Sequence, residues 1–224
     1  MSKRLVRPGV RAGYDEWAAT YDATPNPLVA LDRRVSLPAL DARPGEAVLD
    51  AGCGTGAYLA RLAAARSRAF GLDFSRGMLQ RARRRAPGAA LAQADLNRAL
   101  PIRAGAFDAA LCCLVSEHLT DLAGFFRETF AALRRGGRLV FSAFHPTLAQ
   151  AGVEANFERS GVEYRLGAER HTLDDYLGHI GEAGFIRVAW REYQGDAELV
   201  RSVPAAAKYL GQPLLVLVNA ERPA

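Results

Sequence analysis

The sequence predicts an α/β fold in which a mostly parallel sheet carries helices on both faces. From Ala47 onward, apolar runs bounded by turn residues alternate with stretches of helical periodicity, and this alternation is typical of parallel strands joined by helices. Half of the 224 residues are apolar, which is enough for one sizeable core. We therefore expect a single domain over residues 1–224.

The elements follow in order along the chain. Residues 11–42 predict two helical pieces, broken around Thr24-Pro25-Asn26-Pro27. The next predicted strands cover residues 47–50, 68–73, 89–94, 107–114 and 138–144, and the helices between them cover 57–66, 75–85 and 122–134. Gly136-Gly137 is expected to end the last of these helices and to turn the chain into the fifth strand.

The alternation becomes less regular after Phe144. Residues 146–170 predict an insertion with a short edge strand near 162–166, followed by a helix at 173–183 and strands at 185–193 and 214–219. About twenty residues of mixed character separate those last two strands, and so long an interruption inside a compact domain is often functional.

Composition and charge exclude several classes of protein. No apolar run approaches 18 residues, and the basic N-terminus lacks the apolar region of a secretory signal, so we expect a cytoplasmic protein without a membrane span. The net charge of +5 comes mainly from arginine, but the dense run at 81–85 lacks interleaved aromatic residues, so nucleic acid is an unfavoured partner. Cys53, Cys112 and Cys113 form neither a disulfide framework nor a zinc ligand set.

The strongest functional signal is the turn after the first of these strands. It reads Asp50-Ala51-Gly52-Cys53-Gly54-Thr55-Gly56, with glycines at alternate positions and a helix directly after it. Glycine permits a sharp bend and the close approach of a ligand, and the amides at a helix start add donors and positive potential. Ligands of open α/β sheets bind at this edge.

Carboxylates at the next two strand ends make the signal more specific. Asp73 ends the second strand, where it can accept both hydroxyls of a ribose. Asp95 ends the third, where it can meet the amino group of an adenine while the Leu96 amide meets a ring nitrogen. One aspartate alone could cap a helix or form a turn. Three acids at successive strand ends favour a nucleoside site.

Over roughly residues 14–145, these motifs resemble the class I S-adenosylmethionine-dependent methyltransferases, particularly the group that includes small-molecule and ubiquinone-biosynthesis enzymes. Residues 50–56 match the first motif of that family. The resemblance implies a Rossmann-like sheet of seven strands with the last antiparallel, and S-adenosylmethionine as cofactor with S-adenosylhomocysteine as product. We expect the single domain to consist of a helical cap (1–42), a cofactor-binding core (43–145), and a substrate-side insertion with closing strands (146–224).

The resemblance also implies roles for individual residues. The Gly52 region would lie against the methionine part of the cofactor, Asp73 would bind the ribose, and Asp95 with Leu96 would recognise the adenine edge. The fourth motif, from Phe107-Asp108 to Cys113-Leu114, would run beside the methionine. The cofactor-binding residues so predicted are Tyr21, Asp50, Gly52, Cys53, Gly54, Asp73, Phe74, Met78, Asp95, Leu96 and Cys113.

The N-terminal aromatic residues have a rationale of their own. Tyr14, Trp17 and Tyr21 are spaced for one helix face, and they resemble the helix that caps the cofactor in many members of the family. Aromatic faces attract cations such as a sulfonium. The same three residues could equally serve only to dock the helix.

A dinucleotide oxidoreductase is the obvious rival for a strand, glycine turn and helix. Its usual fingerprint is Gly-x-Gly-x-x-Gly, whereas here the spacing is Gly52-x-Gly54-x-Gly56, followed by Ala57 and Tyr58. This mismatch, together with Asp95, favours methyl transfer.

Methyl transfer from a sulfonium needs alignment and exclusion of water rather than a nucleophile on the protein. A base is needed only when the acceptor must lose a proton. The candidates are Glu117 and His118, just past the fourth strand, and His145, just past the fifth. Each of them could instead be a hydrogen-bonded wall or helix-start residue.

We expect a small or medium-sized organic acceptor, methylated on nitrogen, oxygen or carbon, in a pocket walled by the N-terminal helix and residues 145–170 and 194–212. Two alternatives stay open. An RNA or protein methyltransferase should show a continuous basic surface around the pocket mouth. A cofactor-binding scaffold that does not methylate, such as a cyclase, would carry the same binding motifs.

Overall fold

The protein is described by a computed structural model over residues 4–224. Residues 1–3, part of the basic N-terminus discussed above, lie outside the described residues. The strands are β1 (Arg4–Val6), β2 (Ala47–Ala51), β3 (Arg68–Asp73), β4 (Ala90–Gln93), β5 (Phe107–Cys113), β6 (Leu133–Phe144), β7 (Asn156–Arg159), β8 (Val162–Arg165), β9 (Ile186–Gln194) and β10 (Pro213–Glu221). The helices are α1 (Val10–Trp17), α2 (Pro27–Leu40), α3 (Ala57–Ala64), α4 (Arg76–Arg85), α5 (Leu122–Ala132), α6 (Pro146–Gln150), α7 (Leu173–Glu182) and α8 (Ala197–Ser202), with 3₁₀ turns at Ser116–His118 and Pro204–Tyr209.

The main sheet has seven strands in the order β4-β3-β2-β5-β6-β10-β9. β10 runs antiparallel to both of its neighbours, and the pairs from β4 to β6 are parallel. This confirms the predicted seven-stranded, mostly parallel sheet. The strand order reverses between β2 and β5, and open α/β sheets bind ligands at such a switch.

The core lies on both faces of the central strands. Every residue of β2 and β5 is buried, which explains why these strands are continuous apolar runs rather than alternating ones. On one face, Phe125 and Phe126 of α5 pack against Phe141 of β6. On the other face, α3 and α4 cover the sheet with residues such as Leu59 and Ala82. No helix within residues 4–224 is long and apolar enough to cross a bilayer.

The glycine pair at 136–137 does not end α5, so that prediction was wrong. The helix ends at Ala132 and β6 begins at once with Leu133. Phe107 pairs with Leu133 and Ala109 with Arg138, so four residues of β6 face a single residue of β5 in a bulge. The bulge needs glycine because Gly136 has φ 69° and a Cβ on Gly137 would lie 2.8 Å from a carbonyl oxygen.

The cap consists of α1 and α2, as predicted. Asn26 begins α2 by accepting hydrogen bonds from the amides of Leu28 and Val29, and Pro27 occupies the first turn. The insertion at 146–170 contains α6 and a β7–β8 ribbon. Strand β1, which the sequence did not predict, pairs with β8 and forms a second sheet of order β1-β8-β7. The insertion is therefore joined to the N-terminus.

Candidate active site

A cavity of about 370 Å³ lies beneath the cap at the carboxyl ends of β2, β3, β4 and β5. Its lining residues fall within five segments, 10–33, 52–58, 73–78, 95–97 and 113–120. Residues 145–170 and 194–212 do not contribute to this lining, so the expected substrate wall was wrong in that part. Trp17 of the cap stacks at 5.0 Å on Phe157 of the ribbon, and residues 197–206 pack against α2. Both segments therefore support the cap from outside the cavity.

The glycine turn forms one wall of the cavity, and its three glycines differ in how much space surrounds them. All three have positive φ. A Cβ on Gly52 would lie 2.3 Å from Val115, and one on Gly56 would lie 2.8 Å from the Ala82 backbone, so these two positions are needed for packing. A Cβ on Gly54 would meet no atom within 4 Å. Gly54 is therefore the place where a ligand can come close to the turn.

Asp73 connects the turn to the next strand. Its carboxylate accepts hydrogen bonds from the amides of Gly54 and Ser75, both at 2.8 Å. Burial raises the pKa of Asp73 to about 6, although these amides favour the charged form. Two of the four acceptor positions of the carboxylate are left for a ligand, which suits a pair of ribose hydroxyls.

A second acid lies beside Asp73 at the cavity wall. Asp95 accepts a hydrogen bond from the amide of Asn97 at 2.9 Å, and the Asn97 amide group donates to the carbonyl of His118 at 3.0 Å. Phe74 and Met78 line the cavity on the same side. An apolar slot with a carboxylate at its edge is the environment that an adenine requires.

The structure brings ten of the eleven predicted cofactor residues to the cavity wall; the exception is Asp50. Its side chain is 1% exposed and does not line the cavity. Burial raises the pKa of Asp50 well above its ordinary value, and its Oδ2 atom has no hydrogen-bond partner within residues 4–224. Asp108 of the fourth motif is also remote: it binds Ala47 N and Arg134 at the opposite end of β5.

Of the three predicted catalytic residues, only His118 lines the cavity. Its Nε2 atom lies 2.9 Å from the hydroxyl of Tyr14, and the two rings meet edge to face at 5.3 Å. Burial lowers the pKa of His118 to about 4, so the imidazole is neutral at pH 7. The Nδ1 atom of His118 is buried, with no hydrogen-bond partner in the described part of the chain.

Glu117 and His145 do not reach the cavity. Burial raises the pKa of Glu117 to about 8; its Oε1 atom lies 3.9 Å from His118 Nε2, but the residue is not part of the lining. His145 caps α6, with its ring nitrogens 2.8 Å from Thr147 Oγ1 and 3.2 Å from a Glu192 oxygen. The structure thus assigns the alternative role, a helix start, to His145.

Polar contacts fasten the cap over the cavity. Asp15 accepts hydrogen bonds from Ser75 Oγ at 2.7 Å and from Gly77 N at 2.8 Å, at the start of α4. Asp22 pairs with Arg85 at 2.9 Å, and Arg85 also donates to Thr55 Oγ1 at 2.7 Å. The cap is thereby tied to the helices that follow β2 and β3.

Sequence reasoning missed Asp32, a buried acid of α2 that lines the cavity. Its carboxylate accepts hydrogen bonds from the hydroxyls of Ser36, Ser142 and Tyr58. The only local signal was an aspartate with a serine four positions later, which a helical face brings together. Tyr58 and Ser142 lie far away in the sequence.

This fold and site define the class I methyltransferases. The sheet has seven strands with β10 antiparallel, a glycine turn lies at the strand switch, and carboxylates stand at the ends of the next two strands. The Methyltransferase domain family matches residues 49–141. A demethylmenaquinone methyltransferase of Streptomyces avermitilis is 32% identical over 215 residues, which cover 83% of this chain and 90% of that protein. The chain therefore belongs to the S-adenosylmethionine-dependent methyltransferases, whose cofactor is S-adenosylmethionine.

Solved structures agree with this assignment. An S-adenosylmethionine-dependent methyltransferase from Mesorhizobium loti has a TM-score of 0.72 at 25% identity, covering 88% of this chain and 100% of that one. The cyclase SpnF has a TM-score of 0.71 at 20% identity and 99% coverage of both chains, a likeness that shows the fold alone. Four other curated relatives extend beyond the match, since the chain spans only 33–61% of their length.

Proposed function

We propose that this chain transfers the methyl group of S-adenosylmethionine to a small or medium-sized organic acceptor on nitrogen, oxygen or carbon. The observation that carries this proposal is the capped cavity, in which Gly54, Asp73 and Asp95 lie on one side. The cofactor supplies an electrophilic methyl group on a sulfonium, and the protein aligns it and excludes water.

The residues present fit that cofactor. Asp73 has acceptor positions left for ribose hydroxyls, Phe74 and Met78 offer apolar faces to an adenine, and Gly54 leaves room beside the turn. Tyr14 and Tyr21 place aromatic rings in the cap wall, 6.3 Å apart, where they can attract a sulfonium. These assignments are part of the proposal.

His118 is the acid–base candidate that we retain. Because burial keeps its pKa near 4, full proton removal by His118 is disfavoured, whereas acceptance of a hydrogen bond is not. The Tyr14 hydroxyl fixes the ring from the cap side. We propose that the pair orients the acceptor, and that catalysis depends mainly on alignment.

Charge at the cap favours a small acceptor over RNA or protein. Arg33 and Arg85 share the carboxylate of Asp22, at 3.6 Å and 2.9 Å, so part of the positive charge near the cavity is neutralised. A continuous basic surface, as a polymer substrate would need, is not supported by this pairing.

Three buried free thiols suit a reducing compartment, in line with the expected cytoplasmic location.

The first test is binding followed by turnover. We expect calorimetry to show binding of S-adenosylhomocysteine and none of NAD. The protein with S-adenosylmethionine and a panel of phenols, carboxylic acids, amines and enolisable ketones should then form S-adenosylhomocysteine, detected by mass spectrometry together with the methylated product. Cofactor binding with consumption of an acceptor but without S-adenosylhomocysteine would instead indicate a cyclase-like scaffold. Preferred binding of NAD would contradict the proposal.

A further inference from the structure

Asp32 is a buried acid that the proposed function does not use. It lies in α2, is 2% exposed, and lines the cavity. Its Oδ1 atom accepts hydrogen bonds from Ser36 Oγ at 2.5 Å and from Ser142 Oγ at 2.6 Å, and its Oδ2 atom accepts one from the Tyr58 hydroxyl. Three elements, α2, α3 and β6, therefore fix the position of one carboxyl group at the wall.

This carboxyl group is incompletely satisfied in two respects. A carboxylate offers about four acceptor positions. Hydroxyl groups fill three of them, and among the described residues the only donor beside the fourth, on Oδ2, is the thiol of Cys113, which is a weak donor. Asp32 also forms no ion pair with a cationic side chain within residues 4–224. Burial of a carboxylate without a cation is costly, and burial accordingly raises the pKa of Asp32. A ligand that donates a hydrogen bond to Oδ2 would fill this acceptor position, and a cationic donor would also supply the missing positive charge.

Asp108 is a buried aspartate that has only a structural role, and its contacts can be compared with those of Asp32. It accepts a hydrogen bond from Ala47 N at 2.6 Å and pairs with Arg134 at 2.6 Å. It lies at the opposite end of β5 and does not line the cavity. Asp32 differs on both counts, because it lacks the cation and faces the cavity.

The position of Asp32 separates it from the nucleoside side of the cavity. Its partner Ser142 is in β6, and Asp73 ends β3; two strands, β2 and β5, lie between them. Three strand spacings amount to roughly 14 Å. Asp32 therefore lies on the far side of the glycine turn from Asp73, with Tyr58 and Cys113 as its neighbours on the wall.

We propose that Asp32 is a specificity-determining residue that binds the methyl acceptor and selects acceptors carrying a hydrogen-bond donor, either a hydroxyl or a protonated amine. This inference rests on the proposed function, because it needs the other side of the cavity to hold the cofactor. Ser36 and Ser142, which both donate to Oδ1, are positioning residues that hold the carboxyl group with an acceptor position of Oδ2 toward the cavity.

The test compares Asp32→Asn with the matched variant Asp108→Asn, each saturated with S-adenosylhomocysteine. The probes are phenol and benzyl alcohol for the hydroxyl, benzylamine for the ammonium, and anisole and toluene as analogues without a donor, titrated by ligand-detected NMR. We expect the wild type to bind at least one donor class more tightly than its analogues. Asp32→Asn should weaken that binding about tenfold, the usual effect of losing one hydrogen bond to a charged group, and Asp108→Asn should leave it unchanged.

Several outcomes would overturn the proposal. The first is that the wild type and Asp32→Asn bind the probes equally well. The second is that the wild type does not prefer probes with a hydrogen-bond donor. The third is that Asp32→Asn and Asp108→Asn weaken probe binding to the same extent. Calorimetry on the same samples gives a separate reading of the cofactor. If Asp32→Asn weakens S-adenosylhomocysteine but not 5′-methylthioadenosine, then Asp32 binds the methionine part and the acceptor role is wrong. If the wild type does not bind S-adenosylhomocysteine, the proposed function itself has failed.

Tyr58→Phe keeps the test decisive if Asp32→Asn does not fold. The variant removes the hydroxyl that donates to Oδ2 and keeps the ring, so a second acceptor position of Asp32 opens toward the cavity. Donor probes should then bind severalfold more tightly, with anisole and toluene unchanged. Unchanged or weaker binding of the donors would contradict the role of Asp32.

Discussion

The hydroxyl of Tyr14 and the Nε2 atom of His118 lie 2.9 Å apart, although 104 positions separate the two residues in the sequence. The bond joins the cap to the segment that follows β5, and both residues line the cavity. It holds a neutral imidazole at the wall. The position of this side chain therefore depends on how the cap packs.

Tyr14→Phe tests this link. Loss of a hydrogen bond to the buried imidazole costs about 1.4 kcal/mol, so we expect kcat to fall about tenfold while the affinity for S-adenosylhomocysteine changes little. Steady-state kinetics and calorimetry measure the two effects. Tyr209→Phe is the matched control, because Tyr209 contacts Lys208 outside the cavity. Equal kcat in the two variants would show that the bond does not matter for turnover.

Asp73→Asn should weaken S-adenosylhomocysteine binding by roughly 1–3 kcal/mol, the range for hydrogen bonds to a charged group. Wild-type affinity should also depend on pH. The pKa of Asp73 is raised to about 6, and ribose hydroxyls bind the ionised form, so affinity is full above pH 6 and falls as the pH drops through that value. Calorimetry across this range should give a flat profile for Asp73→Asn. An unchanged affinity in the variant would remove Asp73 from the site.

Glu117→Gln should stabilise the protein against unfolding near neutral pH. The pKa of Glu117 is about 8 in the folded chain and about 4.5 when exposed, so the unfolded state ionises first. The stability contributed by the protonated carboxyl is present below pH 4.5 and is lost progressively as the pH rises to 8. The advantage of the variant should therefore grow between these values by up to about 1.4 kcal/mol per pH unit.

Urea denaturation at several pH values measures that trend. Glu169→Gln is the control, because Glu169 is exposed and should show no such pH-dependent gain. A difference between Glu117→Gln and the wild type that stays constant with pH would mean that Glu117 is ionised in the folded protein.

Gly54→Ala and Gly56→Ala should separate binding from folding. A Cβ at Gly54 enters open space, so the folding cost is limited to a left-handed backbone, about 1–2 kcal/mol, while cofactor affinity should fall strongly. A Cβ at Gly56 would lie 2.8 Å from the Ala82 backbone, so this variant should lose more thermal stability. Thermal denaturation and calorimetry report the two effects, and the reverse order would contradict this division of roles.

The sequence by itself determined the sheet, the glycine turn, and the carboxylates at the end of β3 and just after β4. These features depend on local periodicity and on residues that follow directly after a strand, so positions close together in the sequence are enough to predict them. The ends of helices and strands were harder to predict. The glycine pair at 136–137 suggests a helix end, and only its pairing with β5 reveals a bulge.

Only the tertiary structure decided which side chains share the cavity. His118 and His145 both follow a strand of the sheet, yet one faces the cavity while the other caps α6. Asp32 is brought to the wall by hydroxyl groups of α2, α3 and β6. The physical reason is that side-chain direction and long-range hydrogen bonds depend on how the elements pack, which no local pattern of residues specifies.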